Sequence, residues 1–350
     1  MQFQLTSDFI EQIAQLIAKK DGTALREVLQ EFHFADIAEL IEELKSDQAT
    51  YLVKQLESDL TSEALMELDD DVREKILERL SPIEIAAELQ ELDTDDAADI
   101  IGELDETIQQ KVIDKIEDQE RAADIVELLN YDEDTAGALM AKELVQVKET
   151  WTVAGCVREM RRQAENVTRV HSIYVTNKEG KLTGRLSLKD LLTAEAKTKI
   201  SDVFIPKVDY VTVHTENEEV ARIMQKYDLE AIPVVDDKGV LVGRITIDDI
   251  VDFIKDEAEK DYQMAAGISQ DVEADDSIID LTKARLPWLV LGLLGGLGSV
   301  YIMRGYDEAL ATHVELFFFT PLIAAMAGNV GVQSSAIIVQ GLANDNVKGS

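Results

Sequence analysis

One cysteine, Cys156, is all the thiol that the 350-residue chain carries. A disulfide framework and a thiolate zinc site are therefore excluded, and a reducing compartment fits. Histidine is nearly as scarce. His33, His171, His214 and His313 are scattered, with no HxxxH or HxxE spacing, so no catalytic constellation emerges and the chain reads as a non-enzyme. Basic residues are outnumbered, 34 Lys and Arg against 70 Asp and Glu, for a net charge of −36. With no basic patch to neutralise phosphates, nucleic acid is excluded as a partner and cations are favoured. A signal peptide is not visible either, because Met1–Ile10 is polar and mixed; the first membrane span is expected to act as the insertion signal.

What the chain does have is a sharp change of character. All of the net charge lies before residue 281; beyond it, four residues of each sign cancel. Leu286–Met303 and Leu316–Ala343 are uncharged and apolar, 18 and 28 residues long, and both are long enough to span a bilayer core as helix. Lys283 and Arg285 precede the first span, which places residues 1–280 on the cytoplasmic side. Charged residues at 30% and hydrophobic ones at 46% fit folded helical units rather than disorder.

Residues 1–130 read as an all-α superhelical domain. Apolar residues recur three and four apart, as in Ile37-Leu40-Ile41-Leu44, and helix starts are marked by Ser81-Pro82 and Asp93-Thr94-Asp95-Asp96. Three similar segments, beginning at Ala35, Ala98 and Ala123, point to a stack of short helices. From about Met140, short β-branched runs alternate with helices, and the stretch Tyr174–Leu192 repeats without a gap as Pro233–Val251, 59 positions on. Each copy has a strand, a Gly-containing turn, a second strand and a Ser- or Thr-capped helix, with an amphipathic helix upstream at Val153–Gln163 or Glu218–Tyr227.

Two tandem βαββα units resemble a CBS-domain pair, most clearly in Ile232-Pro-Val-Val-Asp236 and Gly243-Arg-Ile-Thr-Ile-Asp-Asp249. The whole order is similar to the MgtE family of magnesium channels. Tyr131-Asp-Glu-Asp-Thr-Ala-Gly-Ala-Leu-Met140 resembles that family's junction between N domain and CBS pair. Lys226-Tyr-Asp-Leu and the run from Thr246 to Asp261 resemble its second CBS unit, and Arg285-Leu-Pro-Trp288 and Pro321–Gln333 its first two spans. The implied fold is multidomain, α plus α/β: an acidic superhelical N domain (1–130), tandem CBS domains (131–262, in halves of about 140–200 and 201–262), a connecting plug helix (263–285) and the first two spans of a helical membrane domain (286–350). The family's membrane domain resembles a five-helix unit that pairs into a dimer. A chain ending after two spans is therefore expected to be a slice of a longer protein, or unable to conduct alone.

The acids carry the functional expectation. Mg2+ takes six oxygens and keeps several waters, so one or two carboxylates from facing surfaces suffice. Candidates are Asp95, Asp96 and Asp99 in the N domain, Glu216 and Glu218 before the second CBS helix, Asp228, and Asp248, Asp249, Asp252, Asp256, Glu257 and Asp261 on the last helix. The spacing of Asp95 with Asp99, and of Asp248 with Asp252, puts each pair on one helical face; such acids also serve as ordinary solvated faces. The resemblance implies divalent sites at Asp249, Asp252, Glu257 and Asp261; Lys260 departs from the family, which often has an acid there. Two carboxylates about 4 Å apart repel by about 1 kcal/mol in water and about 4 at an effective dielectric near 20. The implied function is thus a Mg2+ channel or transporter whose cytosolic domains compact and close the pore when Mg2+ is high. Its implied setting is the bacterial inner membrane, as a multi-pass homodimer paired through its CBS and membrane domains and in contact with lipid.

Alternatives remain a CBS-regulated membrane protein gated by an adenosyl nucleotide, and an accessory regulatory subunit. For the nucleotide reading, Ser187 with Asp190 and Thr246 with Asp249 have the spacing that faces an adenosine ribose in CBS modules, and ATP is the second ligand carried forward; as plain chemistry they are N-caps. In the second span, Asn329, flanked by Gly328 and Gly331 and followed by Gln333, is the pore candidate, polar at a depth where polarity is costly. Gly292 and Gly296 have a helix-packing spacing, and Pro321 is expected to kink the second span.

Overall fold

The computed structural model describes residues 5–164, 167, 169–269, 272 and 278–343. They form two compact units, one reaching to Asp252 and the other starting at Phe253.

The first unit begins with ten short helices among the described residues: α1 (Ser7–Ala18), α2 (Gly22–Leu29), α3 (Phe34–Glu42), α4 (Ser46–Val53) and α5 (Ser58–Met66), then α6 (Asp70–Leu77), α7 (Pro82–Glu88), α8 (Thr94–Gly102), α9 (Glu106–Ile113) and α10 (Gln119–Leu128). Local chemistry sets their starts. Ser81 and Glu84 form a capping box around Pro82 at the first helical position, and Asp118 accepts from the backbone N–H groups of Glu120 and Arg121. Each helix is too short to hold itself and buries one face on a neighbour. Successive packing of α3 on α5, α5 on α7 and α7 on α9, with α4 on α6 and α8 on α10, is the expected superhelical stack. In the three similar segments Ile37, Ile100 and Ile125 take equivalent buried positions.

The CBS pair follows as two matching halves. The first has β1 (Val145–Lys148), α11 (Val153–Gln163), β2 (Ile173–Thr176), β3 (Leu182–Leu186) and α12 (Leu188–Thr193). The second has β4 (Val211–Thr212), α13 (Asn217–Tyr227), β5 (Ala231–Val235), β6 (Leu241–Thr246) and α14 (Ile247–Ala265). Each sheet pairs its first two strands in parallel and the last two antiparallel, with a register shift after Val175 and after Val234. The tight turns also match. Asn177 and Asp236 each accept two backbone N–H groups, and Gly180 and Gly239 supply the left-handed residue at φ 81° and 79°.

Each half borrows an edge from the other half's approach segment. Ala141 exchanges both backbone hydrogen bonds with Arg244, and Ile205 does the same with Arg185. This close approach requires glycine next door: a Cβ on Gly243 would lie 2.8 Å from the Ala141 carbonyl oxygen and 2.6 Å from the Met140 sulfur, and one on Gly184 would strike the Ile205 carbonyl. The two hairpins also hydrogen-bond each other, Leu182 N–H to the Gly239 carbonyl and Leu241 N–H to that of Gly180, both at 3.1 Å.

The second unit departs from two sequence expectations. The sequence predicts a helix through 263–285, but α14 stops at Ala265, and Gly267 at φ 78° ends it; Ile268 N–H returns to the Gln263 carbonyl and Gly267 N–H to that of Met264. Within 263–285, residues 270, 271 and 273–277 lie outside the described residues. The next helix, α15 (Ile278–Arg304), already includes the stretch before Leu286 and carries Pro287 inside it. One turn before that proline, the Ala284 carbonyl accepts from both the N–H and the hydroxyl of Ser269, at 3.0 and 2.8 Å. After α16 (Asp307–Thr312) and a 3-10 turn (Val314–Phe319) comes α17 (Thr320–Ala343). Pro321 lies in the first turn of α17, where no intrahelical N–H is needed, so the proline requires no kink there. Two helices, Ile278–Arg304 and Thr320–Ile338, are long and apolar enough to cross a membrane.

Candidate metal-sensing site

The acids of α8 face the second CBS half. Asp93 stands at the N-cap with its side chain unused as a cap. Glu143, on the segment entering the CBS pair, caps the helix in its place. The Glu143 Oε2 accepts from Thr94 N–H at 3.1 Å and from Thr94 Oγ1 at 2.7 Å. Thr94 Oγ1 in turn accepts from Lys142 N–H at 2.9 Å. Arg121 of α10 donates to Glu143 Oε1 at 2.9 Å, and to the carbonyls of Leu89 and Leu92 between α7 and α8. From β6, Arg244 donates to Asp93 Oδ2 at 2.8 Å and to the Glu143 carbonyl at 2.5 Å.

Held in this way, three carboxylates of α8 come near Asp249 at the start of α14. Asp95 is buried, and its Oδ1 has no hydrogen-bond partner. Burial, then Asp96 and Asp249, push its pKa well above the ordinary range. Burial, then Asp249, Asp93, Asp99 and Glu63, raise Asp96 to about 8. Asp99 keeps a solvent-exposed edge while protein atoms crowd its flanks; that crowding, with Glu103 and Asp249 beside it, lifts it to about 7. Asp249 is raised by burial too, although Thr246 donates both its hydroxyl, at 2.6 Å, and its N–H, at 3.0 Å, to Oδ2. Four acids of one sign around a partly dry seam favour a proton or a cation. Among the described residues no three His, Cys, Asp or Glu side chains gather closely enough to ligate a bare ion. The donor set, with an unpartnered buried oxygen at one end and a solvent-exposed carboxylate at the other, fits a cation that keeps most of its water, as Mg2+ does.

The other expected residues are distributed differently. Glu216 is the exposed N-cap position of α13, Glu218 lies exposed in its first turn, and Asp228 ends it in the left-handed conformation at φ 51°. All three lie at the ends of one helix. Asp248 and Asp252 are exposed on α14, and Asp256, Glu257 and Asp261 belong to the second compact unit. Ser187 caps α12 by accepting from Lys189 N–H at 3.2 Å, with Asp190 in the same first turn; Thr246 is occupied with Asp249. Gly328, Asn329, Gly331 and Gln333 lie exposed on α17, and the two glycines have open space around them.

Sequence reasoning missed Glu143, Arg244, Asp93 and Thr94. The sequence shows Arg244 only as the repeat-mate of Arg185; that Arg185 is exposed and Arg244 buried is seen only in the structure.

An acidic helical stack packed on a tandem CBS pair, followed by helices of bilayer length, defines a CBS-bearing protein with membrane-type segments. The family model for the MgtE intracellular N domain matches residues 32–134, and the CBS-domain model matches 136–197 and 200–256. The crystal structure of the cytosolic domain of the Mg2+ channel MgtE in complex with ATP is 36% identical, with a TM-score of 0.65, covering 70% of this chain and 99% of that one. The chain belongs to the MgtE family. Magnesium transporter MgtE of Thermus thermophilus is 38% identical over 62% of this chain and 48% of its own length. That of Bacillus subtilis is 37% identical over 63% and 49%. The chain thus spans about half the length of these curated relatives.

Proposed function

We propose that the chain is the sensing part of a Mg2+ transport protein, in which the seam between α8 and the second CBS half takes up hydrated Mg2+. The observation that carries this is the convergence of Asp95, Asp96, Asp99 and Asp249, with Asp95 Oδ1 buried and unpartnered. Without a cation the seam has to hold protons or repel itself. A dication bridged through water reverses the sign and draws the N domain onto the CBS pair. Raised cytosolic Mg2+ then favours the compact form and a closed pore, and falling Mg2+ releases it. Asp252, Glu257 and Asp261 are the further acids of this reading, while Asn329 with its glycine neighbours and Gln333 belongs to the conducting helix. In this reading the assembly is a homodimer in the bacterial inner membrane, with residues 1–280 cytoplasmic.

ATP is a second ligand, favoured by the ATP complex of the similar cytosolic domain. A cleft of ≈ 380 Å³ lies between β3 and the inter-CBS segment, lined by Leu182, Thr183 and residues 206–210. Isothermal calorimetry on the whole chain in detergent, titrated with Mg2+ and separately with ATP, tests both. Heat from Mg2+ that vanishes in Asp95→Asn with Asp249→Asn supports the sensing seam. Mg2+ heat that survives the double substitution refutes it.

A further inference from the structure

Pro287 interrupts α15 where the sequence of that helix changes character. Asp280, Lys283 and Arg285 lie before it, and the uncharged run Leu286–Met303 takes over there. A proline inside a helix has no N–H for the carbonyl four residues back, here that of Lys283, and its ring presses on the same carbonyl. The backbone bonds that fix the direction of α15 are therefore weakest at this turn.

Contacts from outside α15 meet the weak turn on both sides. Before the proline, the Ala284 carbonyl accepts twice from Ser269, from its N–H at 3.0 Å and its hydroxyl at 2.8 Å, across 15 positions. A carbonyl oxygen has two lone pairs, so Ser269 alone can satisfy this one without the ladder that Pro287 breaks. After the proline, Trp288 lies against Gly267: a Cβ on that glycine would sit 3.6 Å from the indole Cγ and 3.8 Å from the Trp288 Cβ and Cδ1. Ala284 is fully buried, although Leu286 and Trp288 beside it are exposed. Ser269 is not spent on ending α14. The carbonyls of Gln263 and Met264 already take the N–H groups of Ile268 and Gly267, and Gly267 at φ 78° makes the turn that brings Ser269 to α15.

We propose that Gly267 and Ser269 form a strap across Pro287 that fixes the direction in which α15 leaves the end of α14, with Ser269 as its positioning residue. The proline leaves the angle of the helix open, and the strap sets it from outside. Serine and proline are thus two parts of one device. Without Pro287 the strap would grip a helix that already holds itself, and without Ser269 the proline would leave a loose joint at the start of the apolar run. The strap is independent of the sensing reading, because its residues all lie in the second compact unit and its bonds join neutral groups.

The test uses the whole chain in nanodiscs, in excess MgCl2 throughout, spin-labelled at Tyr262→Cys on α14 and Tyr301→Cys on α15, which are 78% and 80% exposed. Cys156 is buried and stays unlabelled. Double electron–electron resonance should find one narrow inter-label distance. Ser269→Ala should raise the share of molecules outside that peak about fivefold, the factor expected for one neutral hydrogen bond. Ser269→Thr keeps the hydroxyl and should stay near the original distribution. Pro287→Ala rebuilds the helix's own ladder, so adding Ser269→Ala to it should change the distribution little. The proposal is overturned by a broad distribution in the unaltered chain, by Ser269→Ala leaving the distribution as it was, or by Ser269→Ala having an equal effect with and without Pro287→Ala. Loss of the Mg2+ heat in calorimetry would remove the sensing reading and leave these comparisons untouched.

Discussion

Asp96→Asn should make the chain more stable in EDTA and less responsive to Mg2+. The native carboxyl goes from an ordinary pKa of 3.8 to about 8, chiefly through burial and then through the Asp249 charge. At pH 7 it is therefore held mostly protonated, which over the interval from 3.8 to 7 costs about 4 kcal/mol at 1.36 kcal/mol per unit. Solvent at its partly open edge reduces this to about 2 kcal/mol. Asparagine has the same shape without the charge and removes that penalty. For a folded unit of this size about 2 kcal/mol corresponds to about 4–8 °C in Tm. Differential scanning fluorimetry in EDTA and in excess MgCl2 reads both effects: the EDTA Tm should rise by that amount, and the further rise produced by Mg2+ should shrink. An Asp96→Asn chain with an unchanged EDTA Tm and an undiminished Mg2+ increment would refute the account of the seam as a site of stored repulsion.

The remaining predictions concern pH and backbone. Because the folded-state values of Asp96 and Asp99 lie above the ordinary 3.8, at about 8 and about 7, the folded chain binds more protons than the unfolded one between about pH 4 and 8. Stability in EDTA should therefore increase as pH is lowered from about 8.5 to about 6, and the Tm increment from Mg2+ should be larger at the alkaline end, where protons no longer compete; an increment independent of pH would contradict this. Gly243→Ala should cost about 1–3 kcal/mol in chemical unfolding, since its Cβ meets the Ala141 carbonyl and the Met140 sulfur. Gly239→Ala has open space and only its φ of 79° against it, so it should cost about 1 kcal/mol, and equal losses at the two positions would show that the close approach to Ala141 is not what matters.

Much of the architecture is legible because it is set locally. The capping box at Ser81 and the turn at Asn177, repeated at Asp236, are written in residues three or four apart, and the 59-residue duplication announces two copies of one supersecondary unit. Gly267 is equally readable as a helix terminator, but the acidic run around it favours a continuous helix on pattern alone. Pro321 reads as a kink because its place in the first turn depends on where α17 begins. The acids of α8 and Asp249 each stand out in the sequence as separate candidates, and their company is seen only in the folded chain. Their frame was beyond reach: Thr94 meets Glu143 across 49 positions, and Arg244 meets Asp93 across 151. Nothing in the neighbourhood of either residue announces a partner at that distance, and both pairings depend on how the helical stack is set against the second sheet.

The reciprocal bonds between the Gly180 and Gly239 turns, together with the exchanged edges at Ala141 and Ile205, interlock the two CBS halves like clasped hands. A shear between the halves would have to open six backbone hydrogen bonds at once, two in the clasp and four at the edges. The pair is therefore one stiff body, and the stretch ahead of Ala141 is tied to its second half as well, through Ala136 N–H to the Thr215 carbonyl and Gly137 N–H to that of Val213. A cation taken up beside Asp249, as proposed above, would be felt by the first half as promptly as by the second.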